Sequence, residues 1–283
     1  MVQQTISVAP IAGALGAELS GVDLSGPLPD DLIGQIRAAL LQHHVIFFRD
    51  QHLTPEQHLA FGRRFGELQV HEFVEGMADN EEILEVRKEA EETRNFGGGW
   101  HTDVSYLERP ALGSVLYAHQ VPDYGGDTMF ANQHLAYETL SDGMKKMLEG
   151  LTAIHSARRP YGPNAERSHD YGPSSMRFNF SNSALAETEH PVVRTHVETG
   201  RKSLYVNRTF TIRFKDMTEA ESAPLLNYLW DHAVRPEFTC RFRWEPNSIA
   251  FWDNRCVQHN AINDYHGQRR VMHRVTIEGE RPV

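Results

Sequence analysis

Ile249-Ala250-Phe251-Trp252-Asp253-Asn254-Arg255 opens the stretch that decides the fold: four apolar residues run into a polar corner, and His259 follows four positions later. A short apolar run bounded by turn-forming residues is the signature of a buried strand. The corner then reads as the end of that strand, with His259 on the turn beyond it. Similar runs occur at Val45 to Phe48, Ile83 to Val86, Ser114 to Tyr117, Leu204 to Val206, Thr239 to Trp244 and Val271 to Ile277. These runs are punctuated by Gly and Pro and do not alternate strictly with helices, which favours two stacked sheets over a doubly wound parallel sheet. The expected fold class is mainly β with flanking helices, a jelly roll.

Helices are fewer and well marked. Leu32, Ile33, Ile36, Ala39 and Leu40 recur at helical spacing after Pro29. Thr54-Pro55-Glu56-Gln57 combines an N-cap threonine, a proline at the first helical position and a glutamine able to reach back, predicting a helix to about Phe65. Thr218-Glu219-Ala220-Glu221 repeats the capping box, with Leu225, Leu226, Leu229 and Trp230 forming an apolar face. Such helices pack outside a sheet.

The chain has 283 residues, 40% of them hydrophobic, enough for one domain spanning 1–283. A loop insertion is expected over 158–189, where Pro, Gly, Ser, Asn and Arg replace any apolar periodicity; so long a loop in a compact domain reads as a lid. The formal net charge of −10 argues against nucleic acid or an anionic membrane as partner, since both demand a basic surface. No apolar run reaches the ~18 residues of a membrane span, and no basic leader precedes an apolar one, so the cytoplasm is the expected location. Cys240 and Cys256 are too few for a disulfide scaffold and read as reduced buried thiols.

Chemistry concentrates at His101-Thr102-Asp103. On an extended segment, positions i and i+2 project to one side, so His101 and Asp103 can grip one ion while Thr102 turns away. Alone, the pair is common in a chain with 16 histidines. Joined by His259 it makes two imidazoles and a carboxylate, the facial triad of non-heme iron(II) oxygenases, which leaves about half of an octahedral metal open. Catalytic zinc also takes three protein ligands, but the paired histidines around a helical glutamate expected of a zinc hydrolase are missing.

Arg270 and Arg274 are separated by an even number of positions and share one face of a strand, with Met272 between them. If that strand pairs with the one delivering His259, both guanidinium groups enter the metal cavity, where a planar fork suits a carboxylate or sulfonate. Gly125-Gly126-Asp127-Thr128 reads as a tight turn into a strand, its hydroxyl available to a bound carboxylate.

At these residues the sequence resembles the TauD/TfdA family of iron(II)- and 2-oxoglutarate-dependent dioxygenases. The similarity runs from Gly16 to Asp23, through Trp100 to Asp103 and Gly125 to Thr128, to Trp252 to Arg255, His259, Asp264-Tyr265 and Arg270 to Arg274. It implies a double-stranded β-helix core, His101, Asp103 and His259 as Fe(II) ligands, O2 and 2-oxoglutarate as co-reactants, and Arg270 with Thr128 on the distal carboxylate of 2-oxoglutarate. Similarity to the taurine branch further implies His71 and Arg274 around an anionic substrate group, with Tyr161 and Phe210 as aromatic walls. Val74 and Gly97 stand where an ammonium end would lie, and neither offers a side-chain hydrogen bond, which disfavours a taurine-like amine.

The expected reaction is hydroxylation of a small anion, a carboxylate, sulfonate or sulfate on an apolar or aromatic body such as an aryloxyalkanoate, with release of succinate and CO2. Two alternatives stay open: a taurine or alkylsulfonate dioxygenase, and a non-catalytic β-barrel that binds a small anion. A homo-oligomer, dimer or tetramer, is the expected assembly.

Overall fold

The computed structural model describes residues 6–165 and 174–283, and its architecture is two facing sheets with helices on the outside. Seven strands form the major sheet in the order β1-β2-β3-β13-β5-β15-β4. They are β1 (Ser7–Pro10), β2 (Ala17–Ser20), β3 (Val45–Phe48), β4 (Ile83–Lys88), β5 (Ala111–Gln120), β13 (Ile249–Asp253) and β15 (Arg270–Glu278). Its pairs are antiparallel apart from the parallel β2–β3 pair. Opposite lies a three-stranded sheet, β12-β6-β14, made of β6 (Thr128–Asn132), β12 (Thr239–Phe242) and β14 (Val257–Ala261). Smaller ladders complete that layer: β7 (Thr152–His155) between β8 (Thr188–Pro191) and β11 (Thr211–Phe214), and β9 (Val193–Thr195) with β10 (Lys202–Leu204).

The core lies where the sequence pattern puts it. Val45, Phe47, Val86, Leu116, Ala250, Trp252 and Met272 project from the major sheet onto Phe130, Phe242 and Val257 of the facing one. Their neighbours Ile46, Phe48, Val115, Tyr117, Phe251 and Ile277 point the other way, under α1 (Asp30–His43) and α2 (Pro55–Arg63). A sheet covered on both faces needs strands apolar throughout, which is why Val45-Ile46-Phe47-Phe48 shows no alternation. A third cluster joins α3 (Gln133–Glu138) and α6 (Glu219–Ala233) to Val206 and Phe214; α4 (Asp142–Leu148) and α5 (Arg158–Tyr161) complete the helices used below.

Both capping boxes form, with Thr54 and Thr218 each accepting from the backbone three residues on. The helix opened by Thr54 ends at Arg63, two residues short of the expectation. Tyr205 and Val206 fall outside β10, although Tyr205 N–H still reaches the Val192 carbonyl. Two expectations are corrected. His259 lies inside β14 and not on a turn; the turn is Asn254 to Cys256. The strand of Arg270 and Arg274 pairs with β4 and β5 and not with β14, so the arginines reach the histidine across the gap between the sheets and not along one sheet. Among the described residues no helix is long and apolar enough to cross a membrane.

Candidate metal centre and anion pocket

His101, Asp103 and His259 converge, their ligand atoms lying within 4.8 Å of one another. An isolated bridge brings them together: His101 and His259 exchange backbone hydrogen bonds, N–H to carbonyl, of 3.1 and 2.8 Å. Both imidazoles then face Oδ1 of Asp103, Nε2 of His101 at 3.6 Å and Nε2 of His259 at 3.7 Å. The Nδ1–H of His101 is directed at the Gly99 carbonyl, 2.9 Å away, which leaves its Nε2 as the lone-pair nitrogen. Gly97, at φ +76, lets the preceding loop hug the site; a side chain there would begin 3.7 Å from the His101 ring. Thr102 turns away to the Val257 carbonyl.

The carboxylate is held by groups that sequence spacing did not reveal. Ser114 on β5 donates to Oδ2 at 2.8 Å, and Asn254 accepts the Asp103 N–H at 3.2 Å while donating to Ser114 Oγ. Trp252 Nε1 in turn donates to the Asn254 oxygen. The Trp252-Asp253-Asn254-Arg255 corner is thus a support for Asp103; only its resemblance to a family motif could have pointed there. Beyond the carboxylate, Val104 takes φ 45, a left-handed conformation that is an outlier for a β-branched residue.

Burial pushes the Asp103 carboxyl upward, yet Arg274, His259 and His101 outweigh it and hold the group well below the ordinary carboxylate range. His259 is driven far below the usual imidazole value, chiefly by burial and then by His101, so its ring is neutral. A neutral His259 ring and an ionised Asp103 carboxylate are protonation states that suit a divalent cation.

Arg274 donates to the same Oδ1 at 2.9 Å, and its Nε has no hydrogen-bond partner. Arg270 is buried with both Nε and Nη2 unpaired, its guanidinium 5.8 Å from the Trp244 ring. Unpaired donors in a buried guanidinium are costly and mark a place built for an anion. Thr128 lines the same cavity as Arg270, His101 and His259. Trp244 Nε1 donates to Thr128 Oγ1 at 2.9 Å, so the threonine keeps its own proton to offer.

A second cavity adjoins through His101, Gly97 and Arg274 and is lined by His71, Phe96, Asp103, Pro160, Tyr161 and Phe210. His71 Nδ1 accepts the Phe73 N–H at 3.1 Å, and burial, with Arg274, lowers its titration to about 3; a neutral ring with its proton on Nε2 follows. Val74 lies outside this cavity, in an outer cleft that also touches His71, and bridges to Phe178. Tyr161 closes the pocket from α5. Of the expected covering loop 158–189, residues 166–173 lie outside the described residues; the part from Ser175 to Asn179 returns against Arg87, Glu75 and Phe73. Every anticipated site residue except Val74 therefore lines one or other of two adjoining cavities beside the triad.

Residues 7–276 match the family described as Taurine catabolism dioxygenase TauD, TfdA family. An alpha-ketoglutarate-dependent sulfate ester dioxygenase of Pseudomonas putida is 37% identical over 98% of this chain and 91% of its own. A (S)-phenoxypropionate/alpha-ketoglutarate-dioxygenase of Sphingobium herbicidovorans is 33% identical over 96% and 95%. Among solved structures, a putative alpha-ketoglutarate-dependent taurine dioxygenase from Burkholderia xenovorans superposes with a TM-score of 0.83 at 38% identity, covering 99% of this chain and 94% of that one.

Proposed function

The chain belongs to the TauD/TfdA family and is a 2-oxoglutarate-dependent dioxygenase, and from that premise we propose that it uses Fe(II) and O2 to hydroxylate a small organic anion with an apolar or aromatic body. The observation that carries this reading is the juxtaposition of the His101, Asp103 and His259 cluster with the unpaired buried donors of Arg270 and Arg274.

The donor set fits iron: two imidazole nitrogens and one carboxylate, with no sulfur. When bound, iron together with O2 and 2-oxoglutarate would supply the oxidising power for hydroxylation of a substrate carbon, with succinate and CO2 as co-products. The protein's part is placement. His101, Asp103 and His259 hold the metal, while Ser114 and Asn254 fix the plane of the Asp103 carboxylate. Arg270 and the Thr128 hydroxyl grip the distal carboxylate of 2-oxoglutarate, the guanidinium giving up its unpaired state to do so.

Arg274 and the Nε2–H of His71 receive the anionic head of the substrate. Tyr161 and Phe210 press on its body, which calls for apolar or aromatic carbon, with Pro160 beside them. Val74 and Gly97 supply no acceptor for an ammonium group, and burying an unpaired cation costs several kcal/mol. The body is therefore uncharged, as in an alkyl sulfate, an alkylsulfonate or an aryloxyalkanoate.

The test is succinate formation with Fe(II), ascorbate, O2 and 2-oxoglutarate across those three classes and taurine. Turnover of an uncharged-bodied anion, lost in His101→Ala, is the expected result. Robust taurine turnover would overturn the assignment of Val74 and Gly97. Inertness of the wild type across the whole panel would favour a binding protein.

A further inference from the structure

A second set of side chains able to hold a metal gathers at the turn that leads into the strand of His259. His44, His134 and Cys256 place one ligand atom each within 4.8 Å of the others, and all three side chains are excluded from solvent. They come from three separate elements: His44 caps α1 just before β3, His134 lies in α3, and Cys256 closes the turn into β14. We propose that His44, His134 and Cys256 form a structural site for a soft closed-shell cation, zinc(II) or copper(I), separate from the catalytic centre.

His134 carries the argument. Its Nδ1–H is directed at the Lys202 carbonyl at 2.8 Å, so its Nε2 must be the lone-pair nitrogen, and that nitrogen is buried with no partner at all. A ring nitrogen tied to a backbone carbonyl while the other faces inward bare is the arrangement in which histidines bind metals. An orphaned buried acceptor with no such purpose is a net cost.

Cys256 and His44 supply the rest. Sγ lies 3.6 Å from His44 Nδ1, close to the spacing of about 3.5 Å between neighbouring ligands around a tetrahedral zinc. The spacings to His134, within 4.8 Å, must close toward that value to complete the set. Burial lowers both imidazoles, His44 to about 3 and His134 to about 4, which leaves their lone pairs free at neutral pH. Arg201 leans on His44 Nε2 at 3.4 Å; metal on Nδ1 puts a proton on Nε2, and the guanidinium then withdraws toward Glu138, to which it is already doubly bonded.

Binding exchanges the Cys256 thiol proton, released to solvent, for a sulfur–metal bond. A thiolate with two imidazoles suits soft cations and differs in kind from the His, Asp and His centre. The neighbouring trio His196, Asp253 and Cys256 is no rival, because Asp253 is saturated by Arg255 and His196. A cation here would pin the start of β14 to β3 and α3, three residues ahead of His259.

The experiment unfolds the full chain, refolds it under reducing conditions with cobalt(II), removes the excess, and measures metal content and the near-ultraviolet spectrum. Two cobalt ions per chain and a thiolate-to-cobalt charge-transfer band are expected; the His101, Asp103 and His259 centre has no sulfur and cannot give that band. His101→Ala and Cys240→Ser should keep it. Cys256→Ser should lose both the band and one metal equivalent; should that variant fail to refold, His134→Gln is read in its place. A parallel anaerobic refolding with copper(I) assigns the ion: copper retained where cobalt is not identifies a copper site. A wild type that refolds with one cobalt, no sulfur band and no retained copper overturns the proposal, leaving His134 facing only water.

Discussion

Asp103 and Asp253 are built from the same parts and do opposite work. Each is a fully buried carboxylate beside an arginine and a histidine, and each is held below the ordinary carboxylate range by those neighbours against the opposing effect of burial. Asp253 is saturated: Arg255 donates to Oδ1 through its backbone N–H and Nε at 3.0 and 2.8 Å and to Oδ2 through Nη2 at 2.7 Å, and His196 Nε2 lies 3.0 Å from Oδ2. Asp103 has Oδ2 tied to Ser114 and Oδ1 to a single Arg274 donor at 2.9 Å, and that Oδ1 also faces two imidazole nitrogens at 3.6 and 3.7 Å, too far for hydrogen bonds and right for a shared ion. Unspent bonding capacity, and not residue type, separates a catalytic carboxylate from a structural one.

The largest effect expected from this contrast is on turnover. Asp103→Asn removes a ligand charge, worth several kcal/mol in the transition state, so succinate formation should fall by about 10³-fold while the chain stays folded by circular dichroism. Activity within tenfold of wild type would mean that Asp103 is no more than a partner for Arg274. Asp253→Asn should do the reverse, costing about 3–5 kcal/mol in denaturant unfolding because Arg255 and His196 lose a buried countercharge, with iron still bound by the folded fraction. A smaller change marks Ser114→Ala, where metal affinity in a chelator competition should drop about 10–100-fold; unchanged affinity would show that Asn254 alone orients the carboxylate.

The smallest expected effect concerns buried groups with neither arginine nor metal beside them. His58 Nε2 lies 3.1 Å from the Val115 carbonyl, and burial lowers its titration from the ordinary imidazole value to about 3. The folded form thus resists protonation that the unfolded chain accepts. Its contribution is intact above about pH 6.5 and is lost as the pH falls toward 3, at about 1.4 kcal/mol per pH unit. Chemical denaturation at pH 6 and pH 4.5 should show this slope flattened in His58→Gln; equal slopes would place the acid sensitivity in the other histidines that burial lowers, among them His44, His71, His134 and His190.

Much of this was legible in the chain. His101 and Asp103 at i and i+2, the even spacing of Arg270 and Arg274, and the capping boxes at Thr54 and Thr218 are local patterns, and each is realised. What sequence could not supply was pairing between distant strands. Val257-Gln258-His259-Asn260-Ala261 alternates too weakly to read as a strand, because His259 faces a cavity, Gln258 is satisfied by Gln133 and the Val206 carbonyl, and Asn260 accepts the Gly99 N–H. With β14 hidden, nothing local shows that two sheets contribute the histidine and the guanidinium from opposite sides. Ser114 reads as a strand residue alone, since nothing local joins it to Asp103, eleven positions away.

Val104 bears on how this scaffold responds to selection. A branched side chain at φ 45 spends about 1–3 kcal/mol on the very next residue after a ligand, and glycine would recover part of it. Screens for heat tolerance are therefore drawn to position 104, where the hardiest variants would be those whose carboxylate has lost its aim. Durability and turnover trade against each other through one peptide unit.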